Sequence, residues 1–482
     1  MEKLLSLCEH EELHLSGAIQ PHGVLIYANA AGVITHCSAN VESLVGVAPK
    51  ALLGQPLQAV FGEVVMPING DNRCVYTERA WEFNGYLDFC INMSDSGDYS
   101  IEIYPHFASD NKNNKEVQLC EMPQHEYQIT QQRNELLEEV AKMTGFKRIM
   151  YYQFVENNDG EVVAEFCHSS VDGSYLKLRF PASDIPQIAR DLYIKNPWRM
   201  IPDAAADAIA VLSFEQAAPD LTYCDLRSVS PMHKIYLANM GVHASLSFPV
   251  VVNGNLIALV ACHDNKRNIV PYAMLEACRS LVSRFSMSLS AYTAYQRMCL
   301  VDGLNSRFKP IQLLLQRNGS LVDSWQELAP WILQELNVSG VVVTHDNKIL
   351  RHGLTLEDSA LSIVEQEFIN SSELIWSKDC LSRQLSSFVL SEVAGVMATK
   401  IGSDLKNMTR VYLCQPEQIQ EIAWGGNPEK PVEFHDGKLG ISPRRSFAKW
   451  IEKRVGYSCP WDNRSRLLLL KLRELLSGTV YG

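Results

Sequence analysis

Between Tyr272 and Arg317 the sequence holds a long helical pattern with little glycine or proline. Leu275, Leu281, Val282, Phe285 and Leu289 recur at three or four, and Leu300, Val301, Leu304 and Phe308 continue the stripe. A helix of this length serves as a connector or a dimer seam more often than as one wall of a compact core. It points to a chain of several domains, and 482 residues allow roughly three at about 150 residues each. The stripe is wider than one domain needs, which predicts a homodimer through the long helices. Sedimentation at micromolar concentration showing monomer alone would count against that. Gly303 and Pro310 are where the helix is expected to bend or break.

Ahead of the helix, Gly23 to Ala28 reads as a strand, Asn29 to Gly32 as a turn and Val33 to Cys37 as the hairpin partner. Val41 to Leu53 predicts one or two short helices around Pro49, and Ile101 to Tyr104 alternates as a strand. Residues 124–143 predict a helix with Leu136, Leu137, Val140 and Met143 on its apolar stripe, ended by Gly145. A strand over 148–154, a helix over 188–193 and two apolar strands, 245–252 and 256–262, follow. Asn253-Gly254-Asn255 between the last two is a strong hairpin signal. Beyond the long helix lie strands at 340–344 and 395–401, then a leucine-rich amphipathic helix over 465–477 that reads as the start of a connector.

The net charge of −12 argues against nucleic acid, which would need a basic face. No apolar run approaches a membrane span, and the first ten residues are too short and acidic for a secretory signal. The 13 cysteines are odd in number, scattered and without a Cys-x-x-Cys pair. They read as reduced thiols of a cytoplasmic protein, not as a disulfide framework or a zinc site.

Among candidate functional segments the stiffest is Pro181-Ala182-Ser183-Asp184-Ile185-Pro186. Each proline fixes its own φ and drives the residue before it, Phe180 and Ile185, out of the helical region. The loop therefore holds Asp184 at a defined place, either as a rigid turn with a solvated aspartate or as a site residue. His233 and Tyr236 are three apart in Pro231 to Val242, on one face if that run is helical. His263 ends an apolar strand, where burial demands a partner. The two histidines lack zincin spacing and have no carboxylate at fixed distance, so no metal site is expected. Arg199 and Arg227, each unremarkable alone, could hold a carboxylate-bearing ligand together with Ser245 and Ser247. No Walker loop, nucleophile elbow or Gly-rich dinucleotide turn is present.

These segments together resemble the bilin-binding domain of phytochromes. Cys8 ahead of Ile19-Gln20-Pro21-His22-Gly23 is similar to the amino end of bacteriophytochromes. Trp424-Gly425-Gly426-Asn427-Pro428, Pro443-Arg444-Arg445-Ser446-Phe447 and Ser458-Cys459-Pro460-Trp461 resemble the tongue of the family's third domain. The resemblance runs the length of the chain in the family's order. It implies an α+β fold of three mixed α/β sensor domains with antiparallel sheets, joined by the long helix. These would be a PAS domain over 1–120 with the attachment segment, a GAF domain over 121–300 and a PHY domain over 301–482 with its tongue at about 424–461.

The resemblance further implies a red/far-red photoreceptor that carries biliverdin IXα, a linear tetrapyrrole with two propionates, through a thioether to Cys8. Met232 stands where plant and cyanobacterial relatives place their attachment cysteine, so no attachment is expected there. Asp184 would turn its carbonyl to the pyrrole N–H groups and its carboxylate to the tongue. His233 would share a central water with those groups, and His263 would meet the ring D carbonyl. Arg199 and Arg227 would clamp one propionate, Ser245 and Ser247 the other. Tyr152, Phe180 and Tyr193 would surround ring D, with Ile185 and Tyr236 beside Asp184. Arg444, with Ser446 near it, would be the tongue's partner for Asp184.

Asp264 replaces the second histidine usual after Cys262-His263, Ile257-Ala258 a common Trp-Gly pair, and Ser465 a tongue glutamate. The chain itself carries no kinase or cyclase motif and is expected not to be an enzyme. An output module, a histidine kinase or a diguanylate cyclase, is expected beyond it. The rival reading is a PAS–GAF sensor of a small ligand, indifferent to light; it leaves Cys8 and the tongue unexplained.

Overall fold

The computed structural model describes residues 11–62, 73–81, 83, 85–107, 122–155, 157–214, 217–345, 348–385, 388, 391–402, 408–428, 432–435, 438–441 and 446–480. Cys8 and Arg444 lie outside them. The chain forms two compact units: Met1–Thr293 with Ala423–Trp450, and Ala294–Ile422 with Ile451–Gly482.

The first unit holds two mainly antiparallel sheets. One has the strand order Ala18–Ile19, Ile209–Ser213, Ile34–Ser38, Val24–Ala28, Tyr99–Pro105, Gly85–Met93, Arg73–Trp81. Short helices Glu42–Val45, Pro49–Leu52 and Leu57–Phe61 cover it through Val45, Leu52, Leu57 and Phe61, which bury with Val24, Ile26, Phe89 and Ile103. The strand Ile209–Ser213 comes from far along the chain and pairs with both Ala18–Ile19 and Ile34–Ser38.

The second sheet orders Arg199–Ile201, Ala244–Val252, Asn255–Asp264, Arg148–Phe154, Gly160–Cys167 and Arg179–Phe180. Successive side chains point to opposite faces, so the sheet has two characters. Ile149, Tyr151, Leu246, Phe248, Val260 and Cys262 bury against the helix Glu126–Thr144 and the start of the helix Tyr272–Asn318. Both helices are in their expected places. Asn253 (φ 51°) and Gly254 (φ 78°) turn the hairpin, as Asn-Gly predicts. The opposite face carries Arg199, Ser247 and Ala261 in one cross-strand row and Ile201, Ser245 and His263 in the next. Trp424 pairs in parallel with Arg179 at the far edge.

The second unit is a five-stranded sheet, Lys348–Gly353, Gly340–His345, Thr409–Pro416, Val393–Ile401, Ile375–Lys378. Val341, Val343, Met397, Val411 and Leu413 face the helices Leu321–Leu336 and Asn463–Val480 and the end of the long helix. Val342, Val396, Ala398 and Tyr412 face the helix Asp358–Asn370. Ser320 caps Leu321–Leu336 by accepting from the Val322 and Asp323 N–H groups, an arrangement whose loss costs about 1 kcal/mol.

The long helix runs unbroken from Tyr272 to Asn318 with Pro310 inside it, so of the expected bend or break the break does not occur. An interior proline costs about 3 kcal/mol. Burial of Phe308, Ile311, Leu314 and Leu315 beside it offsets that, at about 1.5–3 kcal/mol per large apolar side chain. In the tongue, Phe447, Trp450, Ile451 and Arg454 stand at helical spacing in the sequence while the Gly-rich Trp424 to Gly426 suits a hairpin; Lys449–Arg454 is a strand, and Val432–His435 pairs with Lys438–Ile441 as a hairpin.

Candidate ligand-binding site

The polar face of the second sheet floors a cavity of about 240 Å³, roofed by the helices Gln187–Lys195 and Pro231–Asn239. A single water needs about 10–15 Å³ of such space, so the cavity suits a ligand of many atoms. All twelve described residues proposed from sequence to hold the cofactor line it: Tyr152, Phe180, Asp184, Ile185, Tyr193 and Arg199 from the sheet and the following loop and helix, and Arg227, His233, Tyr236, Ser245, Ser247 and His263 from later segments. Ser446 is exposed, and its Oγ accepts from the Ala448 N–H.

Local structure explains each position. The proline-framed loop contains a 3-10 turn, Ala182–Asp184, with the Asp184 N–H donating to Pro181 O at 2.9 Å. Asp159 Oδ1 accepts from the Ala182 N–H at 2.9 Å and pins the loop. Pro186 then caps the helix Gln187–Lys195. His233 and Tyr236 share a face of their helix, rings stacked at 6.0 Å and 12°. Tyr236 Oη donates to Asp184 Oδ2 at 3.0 Å, and the Phe447 ring packs edge-on against Tyr236 at 5.2 Å. Tyr152 lies where a Cβ on residue 160 would come 1.8 Å from its ring, so Gly160 makes room for that wall.

The electrostatics are lopsided. Arg227 is buried and Arg199 half-buried, and among the described residues neither has a carboxylate within ion-pair distance. Backbone carbonyls hold them instead: Arg199 donates to those of Asp225, Arg227 and Ser228, and Arg227 to those of Leu221 and Thr222. Burial, and next the charge of Arg199, pulls Arg227 down to about 9; burial lowers Arg199 as well. Both guanidinium groups remain charged at neutral pH. Among the described residues the cavity therefore presents two cations that no carboxylate pairs directly, with Asp225 acting on both only at longer range, a setting that favours an anionic ligand. His263 Nδ1 is buried without a hydrogen-bond partner among the described residues.

Sequence reasoning missed several wall residues. Ile201, Met150, Leu259 and Ala261 were open to it, since they share the sheet face that Ser245 and Ser247 mark. Glu11 and Asp225 carried no local signal. Glu11 Oε2 accepts from Ser230 Oγ at 2.9 Å, a contact across 219 residues.

Family models match as PAS fold over residues 8–70, GAF domain over 131–292 and phytochrome region over 311–482. The chain is 31% identical to cyanobacterial phytochrome B of Nostoc sp., over 99% of its own length and 66% of that protein. The chain belongs to the phytochrome family. It is also 31% identical to a bacteriophytochrome of Pseudomonas aeruginosa, over 97% of this chain and 66% of the relative. The chain thus spans about two thirds of the length of these relatives. The phytochrome photosensory core of Stigmatella aurantiaca superposes with a TM-score of 0.80 at 27% identity, covering 98% of each chain. Among the described residues no helix is long and apolar enough to cross a membrane.

In this phytochrome the cavity histidines are neutral at pH 7. Burial, then Arg199, pulls His233 down to about 4, and burial, then Arg148 and His233, pulls His263 down to about 3. Both rings are only partly shielded from solvent. A histidine whose folded pKa lies below its unfolded value contributes stability above about pH 6.5 and loses it as the pH falls towards the folded value. The slope is at most about 1.4 kcal/mol per pH unit per ring, and less where water reaches it. Urea unfolding from pH 7 to 4.5 should show a steeper loss in the native sequence than in a His233→Gln/His263→Gln variant; equal slopes would refute neutral burial.

Proposed function

We propose that the chain is a red/far-red light sensor that binds biliverdin IXα in this cavity, with a thioether to Cys8, and alternates between two photostates. The observation that carries the reading is the pair Arg199 and Arg227, which line a largely apolar cavity and, among the described residues, have no carboxylate partner. An apolar body bearing two carboxylates fits that wall, and a small neutral metabolite does not. The unpartnered His263 Nδ1 and the hydroxyls of Ser245 and Ser247 add polar groups for such a ligand. When bound, a bilin supplies red-light absorption and a double bond that isomerises.

The protein's own part is to orient and to respond. Arg199, Arg227, Ser245 and Ser247 hold carboxylates; His233 and His263, neutral, hydrogen-bond polar edges of the ligand; Tyr152, Phe180 and Tyr193 bound the space at one end. Asp184, fixed by its prolines and by Tyr236, offers a carbonyl to the ligand and a carboxylate to Arg444 of the tongue. The tongue is the switching element in this reading, since its sequence carries both helical spacing and strand chemistry. The chain itself performs no catalysis, works in the cytoplasm as a dimer and passes its signal to a kinase or cyclase module.

The test is direct. Mixed with biliverdin, the chain should absorb red light and form a far-red-absorbing product on illumination that reverts under far-red light. Binding without any light-dependent spectral change would favour a light-indifferent ligand sensor and sink the photoreceptor reading.

A further inference from the structure

Five carbonyls of one loop, Leu221 to Ser228, grip the two cavity arginines. Arg199 donates at 3.0 Å to Asp225 O, 2.7 Å to Arg227 O and 3.0 Å to Ser228 O. Arg227 donates at 3.0 Å to Leu221 O and 3.1 Å to Thr222 O. Where this backbone sits decides where both guanidinium groups point.

The loop is itself held from the other sheet of the same unit. Glu102, on the strand Tyr99–Pro105, accepts from the Leu226 N–H through Oε2 at 2.7 Å. Its side chain is wholly buried, and its carboxylate also accepts from Tyr104 Oη at 2.8 Å and Asn92 Nδ2 at 2.9 Å. Gln20 assists: its N–H donates to Leu226 O at 2.7 Å, and its Nε2 to Asp225 O at 3.3 Å and Met200 O at 3.0 Å. Cys90 and Asp225 lie near Glu102 in the same buried group, but Arg73 already pairs with Asp225 and hydrogen-bond donors occupy both Glu102 oxygens. A carboxylate is costly to bury unless its lone pairs are used. Here its one main-chain donor belongs to the loop that grips the arginines.

We infer that Glu102, a residue of the PAS sheet outside the cavity, is a positioning residue for Arg199 and Arg227 and so sets the GAF cavity's selectivity for a dicarboxylate ligand. The inference rests on the proposed reading of the cavity as a bilin site. Removing Glu102 frees the Leu226 N–H, lets the loop shift and turns the arginines away from the carboxylates, while the apolar walls stay as they are.

The experiment compares non-covalent affinity for biliverdin with that for its dimethyl ester, whose side chains cannot pair with arginine. Both are titrated by absorbance in a Cys8→Ser background. The parent prefers the diacid. Glu102→Ala should lower the diacid-to-ester preference about tenfold, the scale of one charge-assisted contact. Glu102→Gln, whose amide oxygen can still accept from Leu226, should restore it to within about threefold. A general loss of packing would weaken both ligands alike and leave the ratio unchanged, and that result in a folded Glu102→Ala protein overturns the inference. Should Glu102→Ala not fold, Gln20→Met decides: a reduced ratio supports the inference and an unchanged one overturns it. A parent without preference for the diacid overturns the bilin-clamp reading itself, and the inference with it.

Discussion

Replacing Arg199 and Arg227 together by methionine should weaken biliverdin binding by at least about a hundredfold. Each arginine stands to make a charge-assisted contact with a carboxylate, worth about 1.5–3 kcal/mol, and each 1.4 kcal/mol is about tenfold in affinity. The ligand-free protein responds differently. Methionine removes two charges from the protein interior, a gain, but takes the Arg199 donors from Arg227 O and Ser228 O, a loss of about 1–3 kcal/mol for each one left dry, while Leu221 O, Thr222 O and Asp225 O keep Cys224 N–H, Asn196 Nδ2 and Gln20 Nε2. The two effects oppose, so the melting temperature should move far less than the affinity. Titration and thermal melting on the same preparations separate them. Undiminished affinity in a folded double variant would remove the arginines from ligand binding.

Cys8→Ser should abolish covalent attachment while leaving binding under native conditions largely intact. In the proposed attachment the Cys8 thiol adds across a vinyl group of the bilin, forming a carbon–sulfur bond as the thiol proton passes to the neighbouring carbon. Serine's hydroxyl is far too weak an acid and nucleophile to follow. Met232 lines the cavity, but its thioether has no S–H to add. The wall residues that enclose the ligand do not depend on residue 8. A denaturing gel should thus show bilin comigrating with the native chain and none with Cys8→Ser, while native absorbance shows bilin with both. Bilin still attached to the serine variant after denaturation would assign the bond to another residue.

Much of this site was legible along the chain. Prolines at 181 and 186 stiffen their loop through φ alone, and the 3-10 turn that holds Asp184 follows from them. Ser245 and Ser247 share a sheet face because side chains alternate along a strand, and His263 joins them as the cross-strand partner of Ser245. The His233–Tyr236 pair follows from helical spacing. Whether Pro310 would break the helix was not legible because a local rule gives the cost of an interior proline and not what its neighbours recover by burial. The strand Lys449–Arg454 shows the same limit, for its residues carry the periods of both helix and strand.

The sequence by itself determined many of the elements, the faces they bury and the family to which the chain belongs, since these depend on patterns a few residues long. Only the tertiary structure decided that Arg199 and Arg227 have no carboxylate partner among the described residues and are held by carbonyls of one loop. It alone shows that Glu102, 124 residues from Leu226, steadies that loop, and that Glu11 reaches Ser230. The physical reason is that a buried charge must be satisfied by whatever the fold brings within about 3 Å, and a linear pattern carries no record of which distant backbone that will be.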